Sequence, residues 1–274
     1  MREFLAKYMP IDASAHGADL DRLNAMVHWL MLILFVFWGA YFLYAVWRFS
    51  AKRSPRANYA GMQSHWSTWS EAGVAVVEVV LLVVFSIPLW YRWATKPEPQ
   101  THPLEVRLVA EQFAWNVHYP GKDNAFGRRD VNLVTSTNPL GLDLTDPAAK
   151  DDITTLNQLH VEMNRPVIVH VTSKDVIHSF SLPTMRVKQD AIPGMDVPIH
   201  FTPIKSDVNG DWEIACAQLC GLGHYRMRGQ LFVHEHPDFA KWMASAAPAN
   251  PSTPAPNPIP SPTPAQPPAV TGAM

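Results

Sequence analysis

The chain has 274 residues, is 47% hydrophobic and carries a formal charge of −2. That length fits one or two domains, and the lack of any basic excess excludes a nucleic-acid partner, because nothing is there to neutralise phosphates. There are only two cysteines, so at most one disulfide can form.

Residues 1–24 are polar and mixed in charge, without the basic start and short apolar stretch of a secretory signal. From Ala25 to Trp47 the chain runs apolar, interrupted only by His28. At ~1.5 Å per residue this run reaches roughly 34 Å, enough to cross a bilayer core of ~30 Å. Trp29, Tyr44 and Trp47 fall near its ends, where amphipathic rings settle. A second span, Ala72 to Tyr91, contains Glu78 and Pro88. Residues 25–91 are therefore predicted to form a two-helix transmembrane hairpin. Its 48–71 loop carries Arg48, Lys52, Arg53 and Arg56 before the first acid, Glu71, whereas the N-terminal flank mixes both signs. The excess of basic residues assigns the loop to the cytoplasm, and the N-terminal segment and everything after the second span to the outside.

From Leu104 the pattern changes period. "EVRLVAEQFAWNV", "PVIVHVTS", "DWEIACA" and "RGQLFVHEH" alternate apolar with polar residues, and Gly and Pro punctuate the intervals. Residues 97–246 are expected to form an all-β sandwich or barrel, with a short helix over "DFAKWMASA". The Pro/Ala-rich stretch 247–274 has almost nothing to bury and is expected to be a disordered tail.

Both cysteines lie in "CAQLCGLGHYRM", Cys216 to Met227, with His224 four residues after the second and Met227 three further on. Cys, His and Met together suit copper. A further histidine from another strand must complete the set. The candidates are His160, His170, His178, His200, His234 and His236, of which His178 stands out at the end of a strand pattern. One tetrahedral zinc, a disulfide, or a pair of coppers bridged by both sulfurs are the alternatives. Sharing one electron over two metals through two soft bridges would keep geometric change on reduction small.

Cys-x3-Cys-x3-His-x2-Met, preceded by "DVIHSF" and "RVKQDAIPGM", resembles subunit II of the haem–copper cytochrome c oxidases over roughly residues 20–240. The resemblance implies an N-terminal helical hairpin and a cupredoxin-like Greek-key barrel carrying the dinuclear copper centre CuA. By that resemblance His178 and His224 are terminal ligands, Cys216 and Cys220 the bridging thiolates, Met227 the axial sulfur, and Gln218 the donor of a main-chain carbonyl. Many family members have Glu at the Gln218 position, where it also binds magnesium or manganese at the subunit I interface. An amide is a weaker ligand for a hard cation, which argues against that second site here. Lys188 and Asp190 match a family loop near subunit I; as a solvated turn with a local charge pair they would need no such role.

"EQFAWNVHYPG" is similar to an aromatic segment in which the first tryptophan is the family's proposed point of electron arrival. That position is Phe113 here and the next tryptophan is Trp115, so Phe113, Trp115 or Tyr119 could serve, or the copper loop itself. As plain residues Phe113 and Trp115 read equally well as strand core. Glu71 matches an acid that opens a proton path into subunit I, and reads otherwise as a helix-start acid favouring the macrodipole. Glu78 is costly within a bilayer unless it faces protein or water, and is expected to face subunit I. No Cys-x-x-Cys-His occurs, so no fused c-type haem is expected.

The implied role is acceptance of electrons from cytochrome c, or another periplasmic carrier, and delivery to haem in subunit I for oxygen reduction coupled to proton pumping. Subunit III is an expected neighbour, and a bacterial plasma membrane the expected location. A membrane-anchored copper carrier or assembly protein, and a zinc-stabilised binding module, remain as rivals.

Overall fold

A computed structural model describes residues 7–56, 59, 64–94 and 102–247. The expected tail lies outside the described residues, Ala247 apart.

Two long helices come first. Helix α1 spans Gly17–Arg48, thirty-two residues, and begins well before the apolar run at Ala25. Hydropathy marks where a helix can meet lipid, and the polar turns before Ala25 continue the same hydrogen-bond ladder outside it. The second span covers Trp66–Trp93, twenty-eight residues, with a mean hydropathy of 2.5 over its most apolar eighteen residues. It consists of α2 (Trp66–Val80), a π-helical stretch Leu81–Ser86, and α3 (Ile87–Ala94). Pro88 accounts for the π stretch. Its ring leaves one carbonyl of the preceding turn without a donor, and a locally wider turn accommodates the mismatch. The Ile87 N–H accordingly reaches back to the Leu82 carbonyl. Almost all apolar side chains of both spans are exposed in the isolated chain, Phe35 at 77% and Phe42 at 64% among them.

The second span starts earlier than its apolar stretch, which corrects the reading of Glu71. The first turn of α2 holds no acid, so Glu71 lies beyond the reach of the helix-start dipole. Glu71 and Glu78 are seven residues apart, two helical turns, and so occupy one stripe of α2.

The remainder is a β-sandwich. Sheet one has the order β3-β2-β1-β5-β8, formed by Ile153–Leu156, Ala114–Tyr119, Leu104–Glu111, Val167–Ser173 and Val197–Phe201. Sheet two has the order β4-β10-β9-β6-β7, formed by Gln158–Glu162, Arg228–His234, Asp207–Cys216, His178–Leu182 and Val187–Ala191. Strands β1 and β5 pair in parallel, as do β10 and β4, and the other pairs are antiparallel. Alternate residues point inward. Val106, Leu108, Trp115, Val117, Tyr119, Val169 and Val171 from sheet one meet Leu159, Val161, Phe180, Leu182, Ile214, Leu231 and Val233 from sheet two, all fully buried. Trp115 packs edge-on against Phe180 with centroids 5.9 Å apart. Tyr119 crosses between sheets, its hydroxyl accepting from the His160 N–H at 2.7 Å. Helix α4 (His236–Ala246) covers the outside of β4 and β10, where Trp242 stacks on His160 at 4.2 Å.

The segment before α1 belongs to the barrel. Ser14 bridges Pro203, Ala13 N–H donates to Thr184, and Ala15 N–H donates to Thr202. At the same end His16 meets Trp93, and Asp19 meets Arg92. Both barrel-side ends of the hairpin are thereby held together.

Candidate metal centre

Antiparallel strands β9 and β10 carry the sulfur loop between them. Cys216 ends β9, His224 opens a short 3-10 turn (His224–Arg226), and Met227 immediately precedes β10. Strand β6 lies beside β9 with Phe180 opposite Cys216, which brings His178, the first residue of β6, to the loop. The pairing is extended by the Ala217 N–H donating to the Ser179 carbonyl at 2.9 Å.

The donor atoms converge. Cys216 Sγ and Cys220 Sγ stand 3.7 Å apart, far beyond the ~2.05 Å of a disulfide, and both thiols are free. His178 Nδ1 lies 3.9 Å from Cys216 Sγ, and His224 Nδ1 lies 3.7 Å from Cys220 Sγ. Met227 Sδ approaches Cys220 Sγ to 3.8 Å, and the Gln218 carbonyl approaches Cys216 Sγ to 3.2 Å. The ligand atoms of His178, Cys216 and Cys220 lie within 4.8 Å of one another. His224 falls outside that group, beside Cys220. His178, Cys220 and Met227 are buried at 0%, 4% and 1% exposure, so the centre is roofed by the loop and open chiefly on the His224 side.

Burial, reinforced by the adjacent Cys216 sulfur, pushes the Cys220 thiol up to about 11. Two thiolates this close require cations between them, and metal binding would release their protons. A pair of soft donors, Cys220 buried and Cys216 partly so, flanked by two imidazoles and a thioether, fits copper better than a hard ion.

Residues outside the sequence motif hold the ligands. Asp175 Oδ1 accepts from His178 Nε2 at 2.9 Å, which leaves Nδ1 as the nitrogen facing sulfur. Burial pushes the Asp175 carboxyl up, but hydrogen bonds from His178 and from the Gln112 and Val176 N–H groups outweigh it and hold it below the usual range. Gln112 Nε2 donates to the Cys220 carbonyl at 2.6 Å. Asp-x-x-His at Asp175 was a signal available in the sequence. Gln112 gave none, because its partner lies 108 residues away.

Phe113 and Trp115 part company. Phe113 is 38% exposed and lies over the sulfur loop, so close that a Cβ on Gly223 would sit 2.4 Å from its ring. Trp115 is fully buried, with its ring 6.2 Å from the His178 ring. Tyr119 is fully buried as well. Neither Trp115 nor Tyr119 is a surface aromatic: β2 is buried on both faces from Trp115 to Tyr119, and both rings join the core beside Val117.

The other histidines lie elsewhere. His160 Nδ1 and His234 Nε2 are 2.8 Å apart beneath α4, His236 meets Glu162, and His170 meets Asp196. His200 is on β8. Lys188 and Asp190 are exposed on strand β7 rather than in a turn, and no ion pair between them occurs among the described residues. Glu78 is exposed on α2 in the isolated chain.

Residues 104–231 match the family model described as cytochrome c oxidase subunit II, periplasmic domain. The alternative cytochrome c oxidase subunit 2 of Bradyrhizobium diazoefficiens is 32% identical over 224 residues, 81% of this chain and 78% of the relative. The cytochrome c oxidase subunit 2 of Cereibacter sphaeroides is 27% identical over 249 residues, 85% of this chain and 78% of the relative. Among solved structures, the periplasmic domain of a cytochrome oxidase subunit II of Bradyrhizobium japonicum is 29% identical, with a TM-score of 0.38 over 52% of this chain and 92% of that one.

Proposed function

Since the chain belongs to the cytochrome c oxidase subunit II family, a component of an oxidoreductase complex in which subunit II partners subunit I, we propose that its sulfur loop holds CuA and passes electrons from a cytochrome c, or a similar carrier, towards haem in subunit I. The observation that carries this reading is the convergence of the donors of His178, Cys216, Gln218, Cys220, His224 and Met227 on one sulfur pair. The position of His224, beside Cys220 but outside the mutual group of His178 and the two sulfurs, supports two metal positions over one tetrahedral ion. When bound, such a centre supplies one delocalised electron-transfer site of low reorganisation.

The chain's own residues set the conditions for that transfer. His178 and Met227 lie in the dry interior, which excludes water from one side of the centre. Exposed Leu222 and Tyr225, with half-exposed Phe113, form an apolar rim over the other. This rim is where we place the arriving electron, with Phe113 as its first aromatic contact. The basic residues Arg48, Lys52, Arg53 and Arg56 between the spans support a copper domain on the periplasmic side. The exposed apolar helix faces fit lipid, subunit I and a subunit III. Glu71 and Glu78, on one stripe of α2, are candidates for a proton route into subunit I. A Glu78→Gln variant that turns over like the parent would remove Glu78 from that route. Gln218 exposes an amide where a hard cation would need a carboxylate, so no magnesium or manganese role is assigned to it.

The test is reduction of the copper-loaded chain, and of the purified complex, by reduced cytochrome c in stopped flow. Rapid reduction of copper ahead of haem is expected. Copper that cytochrome c leaves oxidised, or a chain that purifies without a haem-bearing partner, would support a copper carrier instead.

A further inference from the structure

The two ligand arms of the metal centre come from different parts of the chain: His178 from β6, and the cysteines from the loop after β9. A third element joins them. In the turn between β1 and β2, the Gln112 N–H donates to Asp175 Oδ2 at 2.7 Å, while Asp175 Oδ1 accepts from His178 Nε2 at 2.9 Å. The side chain of the same Gln112 donates to the Cys220 carbonyl at 2.6 Å. One residue thus closes an unbroken line of hydrogen bonds from the imidazole, through a carboxylate, to the backbone of a bridging cysteine. Gly221 leaves the room this needs, since a Cβ there would lie 2.7 Å from Gln112 Nε2. Its φ of +135° also suits glycine.

We propose that Gln112 and Asp175 act together as positioning residues that set the distance and orientation between His178 and Cys220, and through them the potential of the copper pair. The inference rests on the CuA reading of the site. The carboxylate raises the donor strength of the His178 imidazole, and outer partners of this kind typically contribute 10–100-fold to metal affinity. Gln112 adds no charge. It transmits, because Asp175 is fixed by the Gln112 backbone and Cys220 by the Gln112 side chain. Groups sharing one network couple, so their removal is not additive.

The test is a double-mutant cycle in the full chain in detergent, with Gln112→Met, Asp175→Asn and both. Met keeps the length of Gln and the backbone N–H but not the donor. Three quantities are read: copper per chain, copper affinity by chelator competition, and reduction potential. Each single variant is expected to keep two coppers and bind them about tenfold more weakly. Asp175→Asn is expected to raise the potential as well, by about 59 mV for a tenfold shift in a one-electron equilibrium. The double variant is expected to match the weaker single variant. Unchanged affinity in either single variant, an unmoved potential in Asp175→Asn, or a double variant weakened by the product of the two, would overturn the proposal. Loss of fold in Gln112→Met would be seen by circular dichroism, and the Asp175→Asn potential then decides alone. A parent chain holding one copper or none would instead overturn the CuA reading beneath it.

Discussion

Arg186 and Asp21, 165 residues apart, form a two-pronged ion pair, Nε to Oδ1 at 2.9 Å and Nη2 to Oδ2 at 3.1 Å. Arg186 also donates to the carbonyls of Pro183 and Pro10. It is held at a φ of +56° directly after the short turn that ends β6. The pair fastens the first turns of α1 to the hairpin of β6 and β7, the same hairpin that presents His178.

This fastening predicts a contrast between two neighbouring acids. The side chains of Arg186 and Asp21 are only 10% and 20% exposed, so Asp21→Ala leaves a largely buried guanidinium short of acceptors and should cost about 2–3 kcal/mol. Asp19 meets Arg92 at 3.6 Å, but those side chains are 34% and 69% exposed, and Asp19→Ala should cost under about 1 kcal/mol. Thermal unfolding of the full chain in detergent, with both variants side by side, measures the difference. Equal losses would show that the pair does not bind the barrel to the helix.

A second prediction concerns Phe113. Gly223 has an ordinary φ of −91°, so alanine there is not strained by its backbone. Its Cβ would nevertheless meet Phe113 at 2.4 Å. Gly223→Ala should therefore cost about 1–3 kcal/mol by overpacking, and a Phe113→Ala change in the same chain should relieve most of it. Purely additive losses in the unfolding midpoint would mean that the ring does not rest on the loop.

Acid should weaken the barrel through His160. Burial, with help from His234, holds this imidazole down at about 3, against 6.5 for the free side chain. As the folded pKa is depressed, the unfolded chain takes up a proton between pH 6.5 and 3 that the folded chain refuses. Stability is thus full above 6.5 and falls as the pH drops, by on the order of 2 kcal/mol at pH 5. His160→Phe keeps a ring between Phe232 and Trp242 and removes the titration. Its unfolding midpoint should change less between pH 7 and pH 5 than the parent's. An identical pH slope would contradict this assignment.

Met227 is 1% exposed and touches only one of the two sulfurs through its own sulfur, Cys220. Leucine nearly matches its volume, so Met227→Leu should cost under about 1.5 kcal/mol and keep both coppers. A weak axial sulfur tunes potential rather than holding metal, and the potential should shift. A variant that loses copper would make Met227 a principal ligand instead.

How much of this was legible in the sequence depended on how far apart the partners lie. Cys216, Cys220, His224 and Met227 share twelve residues, so their chemistry can be read directly. His178 was expected at the end of a strand, whereas it opens β6 after the connection from β5, which ends at Ser173. Gln112 meets Cys220, and Asp21 meets Arg186, across more than a hundred residues, and no local pattern points to either partner. The segment 7–16 shows no strand alternation, because its bridge to Pro203 is a single pair. The apolar run gave the spans but not the ends of α1 and α2, since helix and lipid contact are separate properties. Trp115 lies within β2, which is buried on both faces, whereas Phe113 sits in the turn before it, a boundary that the apolar pattern does not mark.

Two coppers should share one electron across Cys216 and Cys220. Electron paramagnetic resonance of the oxidised, copper-loaded full chain, with copper counted per chain on the same sample, tests it most directly. Two coppers are expected, with a hyperfine pattern from one unpaired electron spread equally over two copper nuclei that is lost in Cys220→Ser. A single-copper pattern in the parent chain, or zinc in place of copper, would contradict it.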